Sequence, residues 1–389
     1  MNASIVGYAR TPFCRSNGQL AEVPATSLGA HAAAAALRRA GISPASVNAV
    51  IGGQVLQAGA GQNPARQSAV AAGVPLTTPA ITVNAVCLSG MEAVVAGTRL
   101  IASGEADIVL AFGQESMSQA PHAANLRRGT RFGAMELIDT MQTDGLTEAS
   151  EGRSMGSSTE EGNATYRLDR ACQDQWGAWS HQRAEAHADA LAQEIEPYPV
   201  MHRGRTTLID ADDGVRSGVT TETLASLRPA FSNAGTITAG NSSPITDGAA
   251  AIILASPKAV REHGLQPLAT LESHALVSGP DLWLHNQPAA AIDKALSRVA
   301  IDRDNLSVVE INEAFAAVSV QSTRELGLDP KIVNRFGGAI ALGHPIGASG
   351  ARLIGTLAQQ LHAIGNGAWG AAGICGGGGQ GSAVILRAC

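Results

Sequence analysis

Residues 337–352 read GGAIALGHPIGASGAR and place His344 in a glycine-rich turn directly before an apolar helical pattern. Further along the chain, Cys375 precedes four consecutive glycines. Far upstream, Cys87 lies between an apolar strand-like run and another helical pattern, in the segment VNAVCLSG of residues 83–90. Two cysteines and a histidine, each predicted on flexible backbone at the start of a helix, indicate thiolate chemistry on an acyl group.

The two halves of the chain repeat one order of elements: strand, reactive residue, helix, strand and loop. The predicted elements are strands 80–86 and 108–112 with helix 91–102 in the first half, and helix 348–363 with strand 368–374 in the second. Strands that alternate with helices at this spacing predict parallel βαβ units of an α/β fold. Two packed copies would bring the two reactive helix starts together near a pseudo-twofold axis.

The segment between the halves differs in character. It contains a basic loop with Arg127, Arg128 and Arg131, and residues 169–192 read as one exposed amphipathic helix. Long insertions of this kind usually carry binding rather than core packing. The predicted division is a first half of residues 1–118 with 246–260, an inserted loop domain of residues 119–245, and a second half of residues 261–389.

Composition narrows the class of protein. The chain has 389 residues, of which 45% are hydrophobic, enough for one large core or two packed domains. A net charge of −6 gives no electrostatic case for nucleic acid binding. Five cysteines without regular spacing argue against a disulfide framework. Because no apolar run of about 18 residues occurs, we expect a soluble cytoplasmic protein with no membrane partner.

Cys87 precedes a helix, and this position favours a lowered thiol pKa. The partial positive charge at a helix start stabilises a thiolate and can bring the pKa from about 8.5 to about 7 or lower. A lone cysteine of this kind is more often a small buried apolar residue, and a lone histidine such as His344 is more often structural. Their joint occurrence with Cys375, in matching places of the repeat, favours a reactive role.

Two further segments carry polar groups with open interpretations. The glycines after Cys375 offer backbone N–H groups to a developing oxyanion, or form a tight packing turn. Asn312 follows a predicted strand over 308–311, where active-site groups of an α/β sheet collect, or it caps a helix. Neither metal-ligand spacing nor a glycine-rich nucleotide motif occurs, so we expect no metal ion, ATP or NAD cofactor.

Several long segments resemble the thiolase family along essentially the whole chain. The matching segments are residues 83–90, 113–118, 239–243, 247–250, 312–316, 337–352 and 375–379. The resemblance implies a thiolase-like α/β fold, with two similar βαβ-rich halves packed in α-β-α-β-α layers around an inserted loop domain. Within the family, the chain most resembles the branch that reversibly condenses two acetyl-CoA molecules to acetoacetyl-CoA and CoA, with CoA thioesters as substrates and no cofactor.

The resemblance also implies roles for single residues. Cys87 would be the nucleophile that carries the acyl group, His344 would take its proton, and Cys375 would move the α-proton of the second acetyl-CoA. Asn312, through a water molecule, would form one oxyanion site with His344. The backbone N–H groups of Cys87 and Gly377 would form the other oxyanion site.

Binding of CoA and assembly are implied in the same way. The residues that fall where the family binds substrate and CoA are Arg216, Thr223, Ser243, Leu146, Met155, Ala314 and Phe315. The basic loop with segment 139–147 is similar to the loop that ties members of the family into tetramers. This similarity implies a homotetramer built as a dimer of dimers.

Three departures from the family pattern concern the acyl pocket. Ser154 stands where many short-chain members have a histidine. Residues 284–288 read LHNQP in place of Met-Gly-x-Gly-Pro, and residues 334–338 read NRFGG in place of Asn-Val-Asn-Gly-Gly. We expect His285 and Asn286 to narrow or polarise the pocket entrance, and Ser154 to open space nearby.

Other functions compete with this reading. A degradative 3-ketoacyl-CoA thiolase of longer-chain substrates would use identical chemistry, and only the pocket separates the two. An enzyme that resembles the ketoacyl synthases is disfavoured, because those enzymes lack the second cysteine and the Asn-Glu-Ala-Phe segment. A non-catalytic lipid-binding protein of this fold would not need all of Cys87, His344, Cys375 and Asn312. A redox protein that uses the two cysteines finds no CxxC pair to support it.

Overall fold

A mixed β-sheet organises the fold in the computed structural model, which describes residues 3–202, 204–365 and 367–389. Numbered along the chain, the strands are β1 Ala3–Arg10, β2 Cys14–Arg15, β3 Ala49–Gly53, β4 Ala80–Val83, β5 Ile108–Glu115, β6 His122–Ala123, β7 Ile138–Asp139, β8 Thr147–Glu148, β9 Arg153–Ser154, β10 Tyr198–His202, β11 Arg205–Ile209, β12 Thr246–Ala255, β13 Ala269–Ser278, β14 Leu306–Ile311, β15 Trp369–Gly376 and β16 Gln380–Ala388.

Helices cover this sheet. The α-helices are α1 Ala25–Ala40, α2 Pro64–Ala71, α3 Ser89–Ala102, α4 Met155–Thr165, α5 Arg170–Ala186, α6 Ala188–Glu194, α7 Thr221–Ala225, α8 Pro257–His263, α9 Gln287–Ser297, α10 Ala316–Leu326, α11 Ala339–Leu342 and α12 Ser349–Ile364. The segments Pro44–Ser46, Arg303–Asn305 and Pro330–Ile332 are 3₁₀-helical, and Gln142–Leu146 is a π-helical turn.

The main sheet has the strand order β14-β15-β16-β13-β1-β12-β5-β3-β4. Strand β3 is parallel to β4 and β5, and β14 is parallel to β15. The strands between them pair antiparallel, including β1 with both β12 and β13. The predicted parallel units are therefore present towards both ends of the sheet, and the two halves join at its centre through an antiparallel pairing of β1 with β13.

The central strands are buried on both faces because helices pack on both sides. Every residue of β5 and β12 is buried, so these strands read as continuous apolar runs without alternation. Helices α1 and α2 pack on one face of the first half, and α9 and α10 pack on the outer face of the second half. Helices α3 and α12 lie between the halves and share one apolar core with strands of both. The layers therefore follow the expected order α-β-α-β-α.

The starts of α3 and α12 meet closely, as the internal repeat predicts. A Cβ atom added to Gly90 would lie 2.7 Å from the carbonyl oxygen of Gly347. A Cβ atom added to Gly350 would lie 2.3 Å from the backbone nitrogen of Met91. Because real side chains do not fit at such distances, glycine is required here, and the close approach brings the two reactive segments together.

The inserted segment contradicts one prediction. The single exposed helix predicted over 169–192 is instead two helices, α5 and α6, which meet at His187. Helix α5 is also partly buried, and Trp176 has only 3% of its surface exposed. Its indole N–H donates to Oε1 of Glu313 at 2.9 Å. The face of α5 that carries Trp176 therefore packs on the second half rather than facing solvent.

The division of the chain at residues 118, 245 and 260 stays a prediction. Strand β12 follows the inserted segment and pairs with β1 and β5 of the first half. None of the helices within the described residues is both long enough and apolar enough to cross a membrane.

Candidate active site

Most of the predicted site residues surround one cavity of about 400 Å³. The predicted residues that line it are Cys87, Leu146, Met155, Ser243, Ala314, Phe315, His344, Cys375 and Gly377. Residues that line it without having been predicted include Val86, Met141, Phe231, Ser242, Ile245 and Ile346. The lining is mostly apolar, as expected for a site that takes an acyl chain and the arm of a thioester.

The Cys87 segment forms a strained turn rather than the end of a strand. Strand β4 ends at Val83, three residues before the predicted end at Val86. Val86 has φ +53°, a left-handed conformation that is rare for a β-branched side chain. Cys87 follows this turn and stands two residues before α3, whose start at Ser89 is earlier than the predicted residue 91. The turn directs Cys87 into the cavity.

Polar side chains brace this turn from both sides. The Oδ1 atom of Asn84 accepts a hydrogen bond from the Val86 backbone N–H at 2.9 Å. The Ser89 hydroxyl donates to the Val86 carbonyl oxygen at 2.6 Å and accepts from the Ala85 N–H at 2.9 Å. The surrounding structure thereby holds Val86 in a backbone conformation that costs of order 1–3 kcal/mol.

The prediction that the start of α3 lowers the pKa of the Cys87 thiol is wrong. Burial raises the pKa of Cys87 to about 12, and the nearby Glu115 carboxylate adds to the rise. Backbone N–H groups of Cys87 and Gly377 act in the opposite direction but do not offset the loss of water. The free thiol is therefore protonated at neutral pH and needs a base to become a nucleophile.

His344 is held in the form that can serve as this base. Its Nδ1 atom lies 2.6 Å from the Ser349 hydroxyl, which donates to the Pro345 carbonyl oxygen at 3.0 Å. Because the hydroxyl proton is used on Pro345, the hydroxyl accepts from Nδ1–H, and Nε2 keeps its lone pair. Burial, assisted by the Arg352 charge, lowers the pKa of His344 to about 3, so the imidazole is neutral.

Asn312 lies behind His344 rather than in the cavity wall. Its Nδ2 atom is 3.4 Å from Nε2 of His344, and its side chain is fully buried. The Oδ1 atom has no hydrogen-bond partner among the described residues. A buried oxygen without a partner is costly, so this position suits a bound water or substrate group.

Cys375 has a different setting from Cys87. The predicted strand over 368–374 continues through Cys375 to Gly376, so the thiol lies on β15 and opposes Gly381 of β16. Burial raises the pKa of Cys375 further than that of Cys87, whose proximity adds to the rise. The chain then turns at Gly378 and Gly379, which have φ +78° and +64°.

Two predicted segments reach the cavity by pairing with each other. The Ser243 backbone N–H and hydroxyl both donate to the Ala314 carbonyl oxygen at 3.1 Å. Phe315 packs edge to face with Phe231, with ring centroids 6.0 Å apart. Phe231 belongs to the inserted segment, and its sequence context gave no signal of this contact.

Arg216 and Thr223 do not line the cavity. Both side chains are exposed on the inserted segment. The Arg216 backbone N–H donates to Nδ1 of His181 at 3.3 Å. Thr223 forms a reciprocal cap with Thr220 at the start of α7.

The departures from the family pattern have different consequences from those expected. Ser154 and Leu284 line the cavity, and Ser154 also caps α4. His285 does not narrow the entrance, because it is fully buried away from the cavity. Its Nε2 atom lies 2.9 Å from Oδ1 of Asn163, and its ring stacks on Tyr166.

The remaining departures also lie away from the cavity wall. Asn286 precedes α9 and is absent from the lining, so the expected change at the entrance is wrong for this residue too. Phe336 stacks on His187 with ring centroids 4.6 Å apart, in a separate apolar cluster beneath α11. Of the departures, only Ser154 and Leu284 therefore line the cavity.

Two family models match consecutive parts of the chain. Residues 3–258 match the family model for the thiolase N-terminal domain, and residues 265–388 match that for the thiolase C-terminal domain. The chain is 48% identical over 387 residues to a probable acetyl-CoA acetyltransferase of Mycolicibacterium smegmatis, covering 98% of this chain and 100% of that protein. It is 44% identical over 385 residues to an acetyl-CoA acetyltransferase of Shinella zoogloeoides, covering 98% of each.

Two solved structures extend the likeness to the fold. The acetyl-CoA acetyltransferase of Bacillus anthracis superposes with a TM-score of 0.96 at 34% identity, over 100% of this chain and 99% of that chain. The Acat5 thiolase of Ascaris suum, solved in complex with coenzyme A, gives a TM-score of 0.92 at 36% identity over 100% of both chains.

Proposed function

Because the chain belongs to the thiolase family of acyltransferases, we propose that it catalyses the reversible condensation of two acetyl-CoA molecules to acetoacetyl-CoA and CoA. The observation that carries the proposal is the joint placement of Cys87, His344 and Cys375 around one apolar cavity. The reaction proceeds through an acetyl thioester on Cys87.

In the first step, Nε2 of His344 takes the proton of the Cys87 thiol. The thiolate attacks the acetyl-CoA carbonyl carbon, a carbon–sulfur bond forms, and the bond to the sulfur of CoA breaks. The leaving CoA thiolate takes the proton of Cys375 and departs as a thiol. The acetyl group is then on Cys87, while His344 is protonated and Cys375 is a thiolate.

In the second step, the Cys375 thiolate removes an α-proton from a second acetyl-CoA. The raised pKa of Cys375 suits this role, because a strong base is needed for a weakly acidic C–H bond. The carbanion attacks the acetyl thioester, acetoacetyl-CoA forms, and Cys87 leaves as a thiolate that regains its proton from His344. Cys375 keeps the α-proton, so the enzyme returns to its starting state without a cofactor.

Two sets of donors stabilise the oxyanions of these steps. The backbone N–H groups of Cys87 and Gly377, which oppose the rise in the Cys87 pKa, would serve the acetyl carbonyl oxygen. Asn312 holds a water that serves the carbonyl of the second acetyl-CoA together with His344. The free Oδ1 atom of Asn312 supports this assignment.

We assign CoA binding to the cavity mouth and the adjoining surface of the inserted segment. Leu146, Met155, Ala314 and Phe315 would contact the apolar parts of the pantetheine arm. The exposed cation of Arg216, outside the cavity, is free to meet a phosphate group. Thr223 and Ser243 would then contact the nucleotide end and the arm of the same molecule.

We also propose a homotetramer. The loop before β7 exposes large apolar side chains: Leu126 is 60%, Phe132 is 98% and Leu137 is 57% exposed. Ile81 is 59% exposed on β4, at one edge of the main sheet. Exposed apolar clusters and open sheet edges of this kind mark contacts with further chains. Light scattering at micromolar concentration should report four chains, and a monomer would contradict the proposal.

A second candidate function is the degradative cleavage of longer 3-ketoacyl-CoA substrates. The observation in its favour is Ser154, whose small side chain lines the cavity where many relatives place a ring. The chemistry is the same, so the two functions differ only in acyl chain length.

Mass spectrometry after incubation with acetyl-CoA tests the proposed reaction. One acetyl group should appear on the peptide that contains Cys87, and it should be absent in Cys87→Ser. Acetylation of a different cysteine in that variant would contradict the assignment. A lipid-binding protein or a redox protein would show no acetyl transfer at all.

A further inference from the structure

Glu115 is a buried carboxylate that the proposed reaction steps do not use. It ends β5, has no exposed surface, and accepts backbone hydrogen bonds on both oxygens. The Oε2 atom accepts from the N–H groups of Val55 and Gly347, each at 3.0 Å. The Oε1 atom accepts from the Leu56 N–H at 3.1 Å. Among the described residues, no Lys, Arg or His forms a salt bridge with it.

These donors belong to segments that support both halves of the site. Gly347 is three residues after His344, in the same loop. The Val55 carbonyl oxygen accepts from Nδ2 of Asn84 at 3.3 Å, and Asn84 in turn braces the Val86 turn before Cys87. One carboxylate thereby joins the nucleophile turn to the loop that carries the base.

The side chain of Glu115 is tightly packed. A Cβ atom on Gly347 would lie 2.7 Å from Oε2 of Glu115 and 2.8 Å from the Gln114 carbonyl oxygen. Leu56, whose N–H donates to Glu115, and Ile346, which precedes Gly347, pack with Cys87 in one apolar cluster. A change in the position of the carboxylate is therefore transmitted to the cavity wall.

We propose that Glu115 is a positioning residue that fixes His344 relative to Cys87. The proposal rests on the proposed function, in which these two residues exchange a proton. Misplacement of reacting groups by about 1 Å is enough to cost about 100-fold in rate, so a rigid tie between the two loops has a direct kinetic value.

The charge of Glu115 gives the proposal a second readout. Burial raises the pKa of Glu115 to about 7, opposed by the N–H donors and assisted by Asp247. Above that pH the carboxylate is ionised, and its charge raises the pKa of Cys87. A neutral substitute would therefore lower the pKa of Cys87 and increase its thiolate fraction.

Two variants separate the effect of the Glu115 charge from that of its hydrogen bonds to the two loops. Glu115→Gln removes the charge and turns an amide N–H group towards a backbone N–H donor. Glu115→Asp keeps the charge but is too short to reach both loops. The matched control is Glu160→Gln, because Glu160 also accepts two backbone N–H bonds and a hydroxyl bond, from Thr236 and Ile237, away from both loops.

The readouts are the rate of Cys87 acetylation by acetyl-CoA and the rate of Cys87 alkylation by iodoacetamide at pH 8. In Glu115→Gln, acetylation should slow at least about tenfold, while alkylation should quicken about threefold because it follows the thiolate fraction. In Glu115→Asp, acetylation should slow about equally and alkylation should not quicken. Both rates of Glu160→Gln should stay within about twofold of the parent.

Acetylation of Glu115→Gln within about twofold of the parent would overturn the proposal. Equal slowing of both reactions would also overturn it, since that pattern means general damage to the site. If thermal unfolding shows that Glu115→Gln does not fold, Glu115→Asp decides the positioning role alone. Failure of the parent protein to acetylate Cys87 would instead refute the proposed function, and the alkylation comparison would still report on Glu115.

Discussion

Cys87 and Cys375 are the same residue type on opposite sides of one cavity, yet their backbone settings differ. Cys87 follows a left-handed Val86, lies outside the strands of the main sheet and is partly exposed. Cys375 is buried within β15 and paired across to Gly381. Burial raises the pKa of both thiols, so acidity at rest does not separate them. The backbone setting does: a turn presents one sulfur for attack, and a strand holds the other at a fixed place.

The largest effect should come from the thiol on the turn. Cys87→Ala should lower acetoacetyl-CoA thiolysis by at least about 10⁴-fold, because no covalent intermediate can form. Steady-state kcat measures this loss, and the parent enzyme should show ping-pong kinetics. The control is Cys14→Ala, which removes a buried thiol that does not line the cavity. Comparable activity in the two variants would refute the nucleophile assignment.

The thiol on the strand should have a narrower effect. Cys375→Ala should still accept an acetyl group on Cys87, but condensation should fall by roughly 10²–10⁴-fold because the α-proton loses its base. Mass spectrometry of the acetylated peptide and exchange of acetyl-CoA α-protons in deuterated water measure the two steps separately. Near-normal condensation would mean that Cys375 is structural and that the contrast between the two thiols is not functional.

The resting protonation of Cys87 gives the next effect. With the pKa of Cys87 near 12, its alkylation by iodoacetamide should rise about 100-fold from pH 8 to pH 10 without a plateau. The sign follows from burial, which favours the neutral thiol, so the thiolate fraction keeps growing with pH. Cys87 alkylation followed by peptide mass spectrometry measures it. A plateau above pH 7 would show instead that the helix start governs the thiol.

The helix start would lower the pKa of Cys87 and burial raises it, and this difference shows how far the sequence alone can predict the site. The segments of Cys87, His344 and Cys375 could be brought together from sequence, because each lies at a boundary of a repeated unit. The pKa of Cys87 could not be predicted from sequence, because it depends on how deeply the folded chain buries the sulfur. His285 shows the same limit, since the direction of its side chain is set by contacts with Asn163 and Tyr166 that are distant in sequence.

Predictions from residue type also fail where tertiary contacts override local preference. Val86 favours a strand by type, but bonds from Asn84 and Ser89 hold it in a left-handed turn. Ser349 lies inside the most informative segment of the chain, yet its bond to His344 depends on how the imidazole folds back over the start of α12. Neither feature has a periodicity that a sequence pattern could reveal.

Ser349 provides the next smaller effect. Ser349→Ala removes the acceptor of the His344 Nδ1–H, so the proton can move to Nε2 and block the base. Thiolysis kcat should fall about tenfold. Ser273→Ala is the matched control, because this buried hydroxyl donates to the Ala295 carbonyl oxygen at 2.7 Å and Ser273 does not line the cavity. Equal kcat values for the two variants would leave the His344 tautomer without a role in activating Cys87.

The smallest effect concerns the space that the acyl chain occupies beside the two thiols. Ser154 and Leu284 line this space, whereas His285 and Asn286 do not. We expect kcat/KM for acetoacetyl-CoA to exceed that for a 3-ketoacyl-CoA of about ten carbons, since a small pocket discriminates by about 1–3 kcal/mol per methylene. Ser154→His should raise this ratio further, by about threefold, because the ring fills cavity volume. Ser150→His adds the same ring on an exposed loop and should leave the ratio unchanged. A ratio below one in the parent enzyme would assign it to the degradative, longer-chain reaction while leaving the division of labour between Cys87 and Cys375 intact.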